Sequence, residues 1–161
     1  MRVLPVVLFA LLSATLFAAD VDFSGTWNLN EEKSEIAEGP GRRAGFFTPT
    51  MIVKQEKDKL TVQRTITGRN GEERTMETVY DLTGKPTKEE RRRGTTEHTT
   101  NWEGEALNIK TERSLERRGE SFDMTTHATW TLVDDGKALV IESTSDTPMG
   151  ERTQKSYYAK Q

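Results

Sequence analysis

An apolar–polar alternation of period two, recurring from Leu60 to Leu132, narrows the fold of this chain more than any other feature. In "SFDMTTHATWTLVDDG" the residues Phe122, Met124, Ala128, Trp130 and Leu132 share one parity, and Asp123, Thr125, His127, Thr129 and Thr131 take the other. The same pattern groups Leu60, Val62 and Ile66, then Met76, Tyr80 and Leu82, then Leu107, Ile109 and Leu115. Successive side chains of a strand point to opposite faces, so each segment has one apolar face. The many threonines favour strands for the same steric reason as valine and isoleucine. Turn signals separate the segments: Lys57-Asp58-Lys59, Asn70-Gly71, Thr83-Gly84-Lys85, Glu103-Gly104-Glu105, Arg118-Gly119-Glu120, Asp134-Asp135-Gly136-Lys137 and Met149-Gly150. Short turns between strands make a meander. A long meander buries its apolar stripe and removes its edges by closing on itself. The expectation is an all-β, closed antiparallel up-and-down barrel of about eight to ten strands, with Lys85 to Thr100 forming one bent strand or two.

The N-terminus reads differently. Met1-Arg2 is positive, Val3 to Phe17 is apolar apart from Ser13 and Thr15, and Ala18-Ala19 precede Asp20. This is the pattern of a secretory signal peptide over residues 1–19, with an apolar run too short for a stable membrane anchor. It predicts an exported protein, periplasmic or secreted, whose mature part is a single domain over residues 20–161. The chain has no cysteine, which excludes a disulfide framework, a thiol nucleophile and a lipidated N-terminal cysteine. Its formal charge of −3 argues against nucleic acid as a partner.

Between the leader and the alternating body lies "VDFSGTWNLN", in which Phe23, Gly25, Trp27 and Leu29 share a parity. A tryptophan is bulky and flat enough to close a barrel base, and a glycine two residues earlier allows a bend and a close approach by neighbouring chain. Gly25-Thr26-Trp27 resembles the first-strand signature of the calycins, which comprise the lipocalins, the fatty-acid-binding proteins and the avidin group. The longer "DFSGTWNLNEEKSE" with the final "YYAKQ" is similar to secreted, lipocalin-like bacterial proteins. The resemblance implies a lipocalin-like barrel around a small hydrophobic or amphipathic ligand. It also implies an arginine stacked on the base tryptophan, for which Arg152 is the candidate, and an Arg-x-Tyr pair on the last strand, which Lys155-Ser156-Tyr157 resembles with lysine for arginine. The segment "EEKSEIAEGPGRRAGFFTPT", Glu31 to Thr50, breaks the alternation and reads as a long loop, with Phe46-Phe47 as lid or plug.

Parity then sorts the interior. With Trp27, Trp102 and Trp130 inward at the base, Arg64 follows Leu60 and Val62, Tyr80 follows Met76, His98 follows Trp102, and Arg113 follows Leu107 and Ile109. These four, with Lys155 and Tyr157 (or Tyr158) from the last strand, are the candidate ligand contacts. A buried cation is costly unless matched, and a ligand carboxylate would match it; the competing expectation pairs these side chains with Glu97, Glu112 or Glu142. His98 and His127 fall on opposite faces, so no metal site is expected, and no cofactor motif is present. Asp134-Asp135-Gly136 lacks the remaining ligands of a calcium loop and reads as a hairpin. Two other readings use the same barrel: an enzyme with His98 or Tyr80 as acid/base, and an envelope interaction protein with a filled interior.

Overall fold

A computed structural model describes residues 21–35, 48–67, 72–91, 94–117, 119–148 and 150–161. The leader, Gly39-Pro40-Gly41, Phe46-Phe47 and Asn70-Gly71 lie outside the described residues. Ten strands follow one another: β1 (Gly25–Leu29), β2 (Thr50–Glu56), β3 (Lys59–Thr67), β4 (Glu73–Asp81), β5 (Thr87–Arg91), β6 (Gly94–Glu103), β7 (Ala106–Arg117), β8 (Glu120–Val133), β9 (Ala138–Thr147) and β10 (Gly150–Lys160). No helix occurs among the described residues. Lys85 to Thr100 thus contributes two strands, β5 and the first part of β6, which pair antiparallel from Arg91↔Gly94 to Thr87↔His98.

The strands form one sheet in the order β4-β3-β2-β1-β10-β9-β8-β7-β6-β5, with every pair antiparallel. All neighbours are consecutive except β1 and β10, which join the two ends of the chain through Trp27↔Lys160 and Leu29↔Tyr158. The segment after β1 extends that junction. Asn30 N–H donates to Tyr157 O at 2.8 Å, and Glu35 and Lys155 exchange backbone hydrogen bonds at 2.8 and 3.0 Å.

The two outer strands of this order, β4 and β5, are not backbone-paired, and side chains close the seam between them. Thr87 Oγ1 donates to Val79 O at 3.0 Å, and Thr100 Oγ1 donates to Asp81 O at 2.5 Å. The Tyr80 ring meets the His98 ring edge-on, with centroids 4.9 Å apart. The result is a nearly closed up-and-down barrel, as the alternation predicts.

The inner face holds one apolar cluster containing Phe23, Trp27, Met51, Val53, Leu60, Val62, Leu107, Ile109, Trp130 and Leu139. The expected orientation of Phe23, Gly25, Trp27 and Leu29 is met. Phe23 stacks on Trp102 at 5.9 Å and meets Trp130 edge-on at 5.8 Å, so the three aromatics pack together at the base. Trp27 Nε1 donates to Phe23 O at 2.9 Å, which satisfies the buried indole N–H. Gln55 ties down the approach to β1 by accepting from Phe23 N–H at 3.0 Å and donating to Val21 O at 2.7 Å.

The cation over the base tryptophan is Lys160, not Arg152. Its Nζ stands 5.2 Å from the centroid of the Trp27 ring. Arg152 pairs with Ser145, eight residues earlier on β10 and toward the opposite end of the barrel. Gly25 makes room for the lysine. At φ +150°, a Cβ there would lie 2.7 Å from Lys160 Cε. Gly94 is more constrained, because its Cβ would lie 1.9 Å from the backbone oxygen of Ser114.

The outer face is polar, with ion pairs Lys54–Glu56 at 3.1 Å, Lys110–Glu112 at 2.8 Å and Lys155–Glu142 at 2.7 Å. Such exposed pairs contribute little stability. Apolar inside and polar outside is the reverse of a lipid-embedded barrel.

Tyr158 faces inward from β10 and donates its hydroxyl proton to Thr48 O at 3.2 Å, tying the last strand to the segment that enters β2. Burial pushes its pKa up to about 12, against a pull from the Arg64 charge.

Two outcomes follow from this packing. Gly94→Ala should destabilise the protein more than Gly25→Ala. The obstacle at Gly94 is backbone, whereas at Gly25 it is the far end of a lysine, and the latter should cost about 1–2 kcal/mol; chemical unfolding measures both, and equal midpoints would contradict the account. Tyr158 stays protonated in the folded protein where the unfolded chain ionises it, so stability present below pH 10 should fall as pH rises from 10 toward 12. The loss should be on the order of 2–3 kcal/mol, and Tyr158→Phe should remove that component of the alkaline slope.

Candidate functional site

The turns divide the barrel into two ends. The base carries the β2–β3, β4–β5, β6–β7 and β8–β9 turns with the tryptophan cluster, and the opposite strand ends form the mouth. Strand register places the inward side chains in rows across neighbouring strands. One row runs Thr87, His98, Thr111, Thr126, Ser145, Arg152 from β5 to β10. The row nearer the mouth contains Thr96, Arg113 and Met124, and the row nearer the base contains Thr100, Ile109, Ala128, Ser143 and Gln154.

Arg64, Tyr80 and His98 come together on this face. Arg64 Nη2 donates to Tyr80 Oη at 3.4 Å, the Tyr80 ring lies against His98, and His98 Nδ1 shares a hydrogen bond with Thr111 Oγ1 at 2.9 Å. Thr126 Oγ1 and Ser145 Oγ are 2.9 Å apart and continue the same row. The polar band therefore crosses the β4–β6 seam and spans most of the inner wall. Arg113 also faces inward, one row nearer the mouth, and is half-buried. Among the described residues it has no hydrogen-bond or ion-pair partner.

Lys155 and Tyr157 do not join this group, which corrects the inward assignment of that pair. Both lie on the outer face of β10. Lys155 pairs with Glu142, the competing expectation for this side chain, and that carboxylate holds its ammonium pKa above the ordinary value. The Tyr157 hydroxyl bonds Asp134 Oδ2, and the Lys33 ammonium lies 4.6 Å from its ring centroid. Hydrogen bonding to Asp134 raises the Tyr157 pKa. The inward residues of the last strand are Ser156 and Tyr158, both buried, so a serine stands where the resemblance implied a cation. Glu97 and Glu112 also face outward, toward Lys88 and Lys110, and do not neutralise Arg64 or Arg113.

Carboxylates are scarce on the inner face. Strand parity directs Glu89 inward on β5 and Glu120 inward at the tip of β8, and no other carboxylate inward among the described strand positions. Against these stand Arg64, Arg113 and Lys160, with exposed Arg74 and Arg152 toward the mouth. The inner face is thus biased to positive charge although the chain is acidic. Among the described residues no cluster of histidine and carboxylate side chains could hold a metal ion. Grooves of about 290 Å³ beside Ile52 and about 510 Å³ beside His127 are lined mainly by outward residues, the second also by Ser143 and Gln154, and neither includes Arg64, Tyr80, His98 or Arg113.

Sequence reasoning missed Ser156 and Lys160 and offered Tyr158 as the alternative to Tyr157, the one the structure turns inward. β10 has two adjacent tyrosines and little other apolar content, so its parity carries no signal. The early glycine of Gly25-Thr26-Trp27 announced a close neighbour without revealing which side chain it would be.

No family model matches this chain, and no curated protein sequence matches it. Solved structures do. Over 86% of this chain and 98% of the other, it superposes on the zebrafish ileal bile-acid-binding protein complexed with cholic acid, with a TM-score of 0.54 and 17% identity. Secretory abundant heat soluble protein 4 from Ramazzottius varieornatus gives a TM-score of 0.54 at 19% identity, covering 86% of this chain and 94% of that one. At these identities the likeness concerns the fold: this chain is a ten-stranded calycin-like barrel.

Proposed function

We propose that this protein is an exported carrier that holds a small amphipathic anion in its barrel, its apolar part against the tryptophan base and its acidic group toward Arg64 and Arg113. The observation that carries this reading is the imbalance of the inner wall. Two half-buried arginines face inward, Glu97 and Glu112 face outward, and the inward carboxylates among the described strand positions, Glu89 and Glu120, are fewer than the inward cations. Apolar burial would supply affinity and the arginines orientation. The superposition on a bile-acid-binding barrel supports ligand binding by this architecture. The leader at residues 1–19 supports export.

Native mass spectrometry of freshly purified protein should retain a lipid-like adduct. Trp27, Trp102 and Trp130 provide an intrinsic fluorescence signal for titrating the stripped protein with fatty acids and steroid acids. Arg113→Gln and Arg64→Gln should each weaken carboxylate binding about tenfold or more, the scale of a charge-assisted hydrogen bond. Lys155→Gln and Tyr157→Phe, on the outer face, should leave it unchanged. Absence of any adduct, fluorescence change or thermal shift across that panel would defeat the carrier reading. For export, the mature protein should be recovered outside the cytoplasm with its N-terminus near Asp20; recovery of the intact leader would contradict it.

A further inference from the structure

We infer that the ligand is oxygenated along its body as well as at its acidic end, so that a plain saturated acyl chain is the wrong shape of polarity for this lumen. The inference rests on the carrier reading and deepens it. Its basis is how polarity changes from base to mouth along β3, β7 and β8. On β3 the inward order is Leu60, Val62, Arg64, Ile66; on β7 it is Leu107, Ile109, Thr111, Arg113, Leu115; on β8, read in the same direction, it is Trp130, Ala128, Thr126, Met124, Phe122. Each of these three strands is apolar, then polar, then apolar again, while β6, β9 and β10 pass from apolar at the base to polar and stay so.

The polar tier is continuous from strand to strand. Arg64 bonds Tyr80, Tyr80 packs on His98, His98 bonds Thr111, and Thr126 bonds Ser145. Ile66, Leu115 and Phe122 lie nearer the mouth as an apolar lip, and Met76 and Met124 stand level with Arg64 and Arg113. A hydroxyl can donate once and accept twice, and each of these bonds uses only part of that capacity. Thr111, Thr126, Ser145 and Arg113 are only half-buried, so water can meet the remainder. A methylene chain threaded from mouth to base would strip that water and return nothing, which penalises binding. A ligand bearing hydroxyl or keto oxygens at mid-length would replace it. Hydrogen-bonding sites discriminate strongly against analogues that lack the matching group.

The test compares three acids: stearate, a hydroxystearate with its hydroxyl at mid-chain, and cholic acid, whose hydroxyls lie along a rigid body. Intrinsic tryptophan fluorescence of the full mature protein reads their affinities. The expected result is that at least one oxygenated acid binds about tenfold or more tightly than stearate. Thr111→Val and Thr126→Val, which exchange a hydroxyl for a methyl, should shrink that ratio with little effect on stearate. Circular dichroism confirms that each variant is folded; if both valine variants unfold, Ser145→Ala, which removes the hydroxyl bonded to Thr126, replaces them in the same comparison. Stearate binding as tightly as both oxygenated acids would overturn this inference and leave the carrier reading standing. Failure of all three acids to bind would overturn both.

Discussion

The pairing of β1 with β10 is the contact on which the rest of the barrel depends. Eight of the nine strand pairings join strands consecutive in sequence, so local turns can build two twisted ribbons, β1–β4 and β5–β10, without it. The ladder from Trp27↔Lys160 to Leu29↔Tyr158 brings the N-terminal strand beside the C-terminal one. That junction brings β2–β4 into line behind β1 and lets β4 approach β5. It also assembles the base, where the lysine stem passes over Gly25 and its ammonium sits above the indole. Contacts this distant in sequence carry a large loop-closure entropy, so the dense aromatic packing of Phe23, Trp102 and Trp130 offsets a cost that hairpin contacts do not face.

Where the sheet's two ends meet, closure is of another kind. Threonine hydroxyls of β5 and β6 reach backbone carbonyls of β4, and a tyrosine ring packs on a histidine. A seam held by side chains has fewer interactions to lose than a backbone ladder. It also places Tyr80 and His98, from strands not paired with each other, side by side within the polar tier. The same residues therefore seal the wall and face the interior.

Polarity within the lumen follows from strand geometry and electrostatics together. Because alternate residues face opposite sides, a carboxylate and an arginine adjacent in sequence end on different faces. Glu112 and Arg113 are one example: the glutamate pairs with Lys110 outside, and the arginine is left inside without it. The net acidity of the chain is expressed on the exterior, while the interior gathers positive charge. Composition alone conceals this separation.

Long alternating segments were legible in the sequence. Leu60–Val62–Arg64, Leu107–Ile109–Thr111–Arg113 and Met124–Thr126–Ala128–Trp130 reveal their buried face directly, because a shift of one residue would expose every apolar side chain. Thus the all-β class, the inward tryptophans and the orientation of Arg64, Tyr80, His98 and Arg113 follow from local order. β10 offers no such pattern. Tyr157 and Tyr158 are neighbours of equal bulk, and the choice between them depends on Leu139 and Leu29 beside Tyr158, and on Lys33 and Asp134 beside Tyr157. The partner of Trp27 and the polar tier across the seam likewise join residues far apart in the chain. Periodicity is a property of neighbours in sequence, and it decides which face a residue shows; which residues meet across the barrel depends on pairing between distant strands, and only the folded structure decides that.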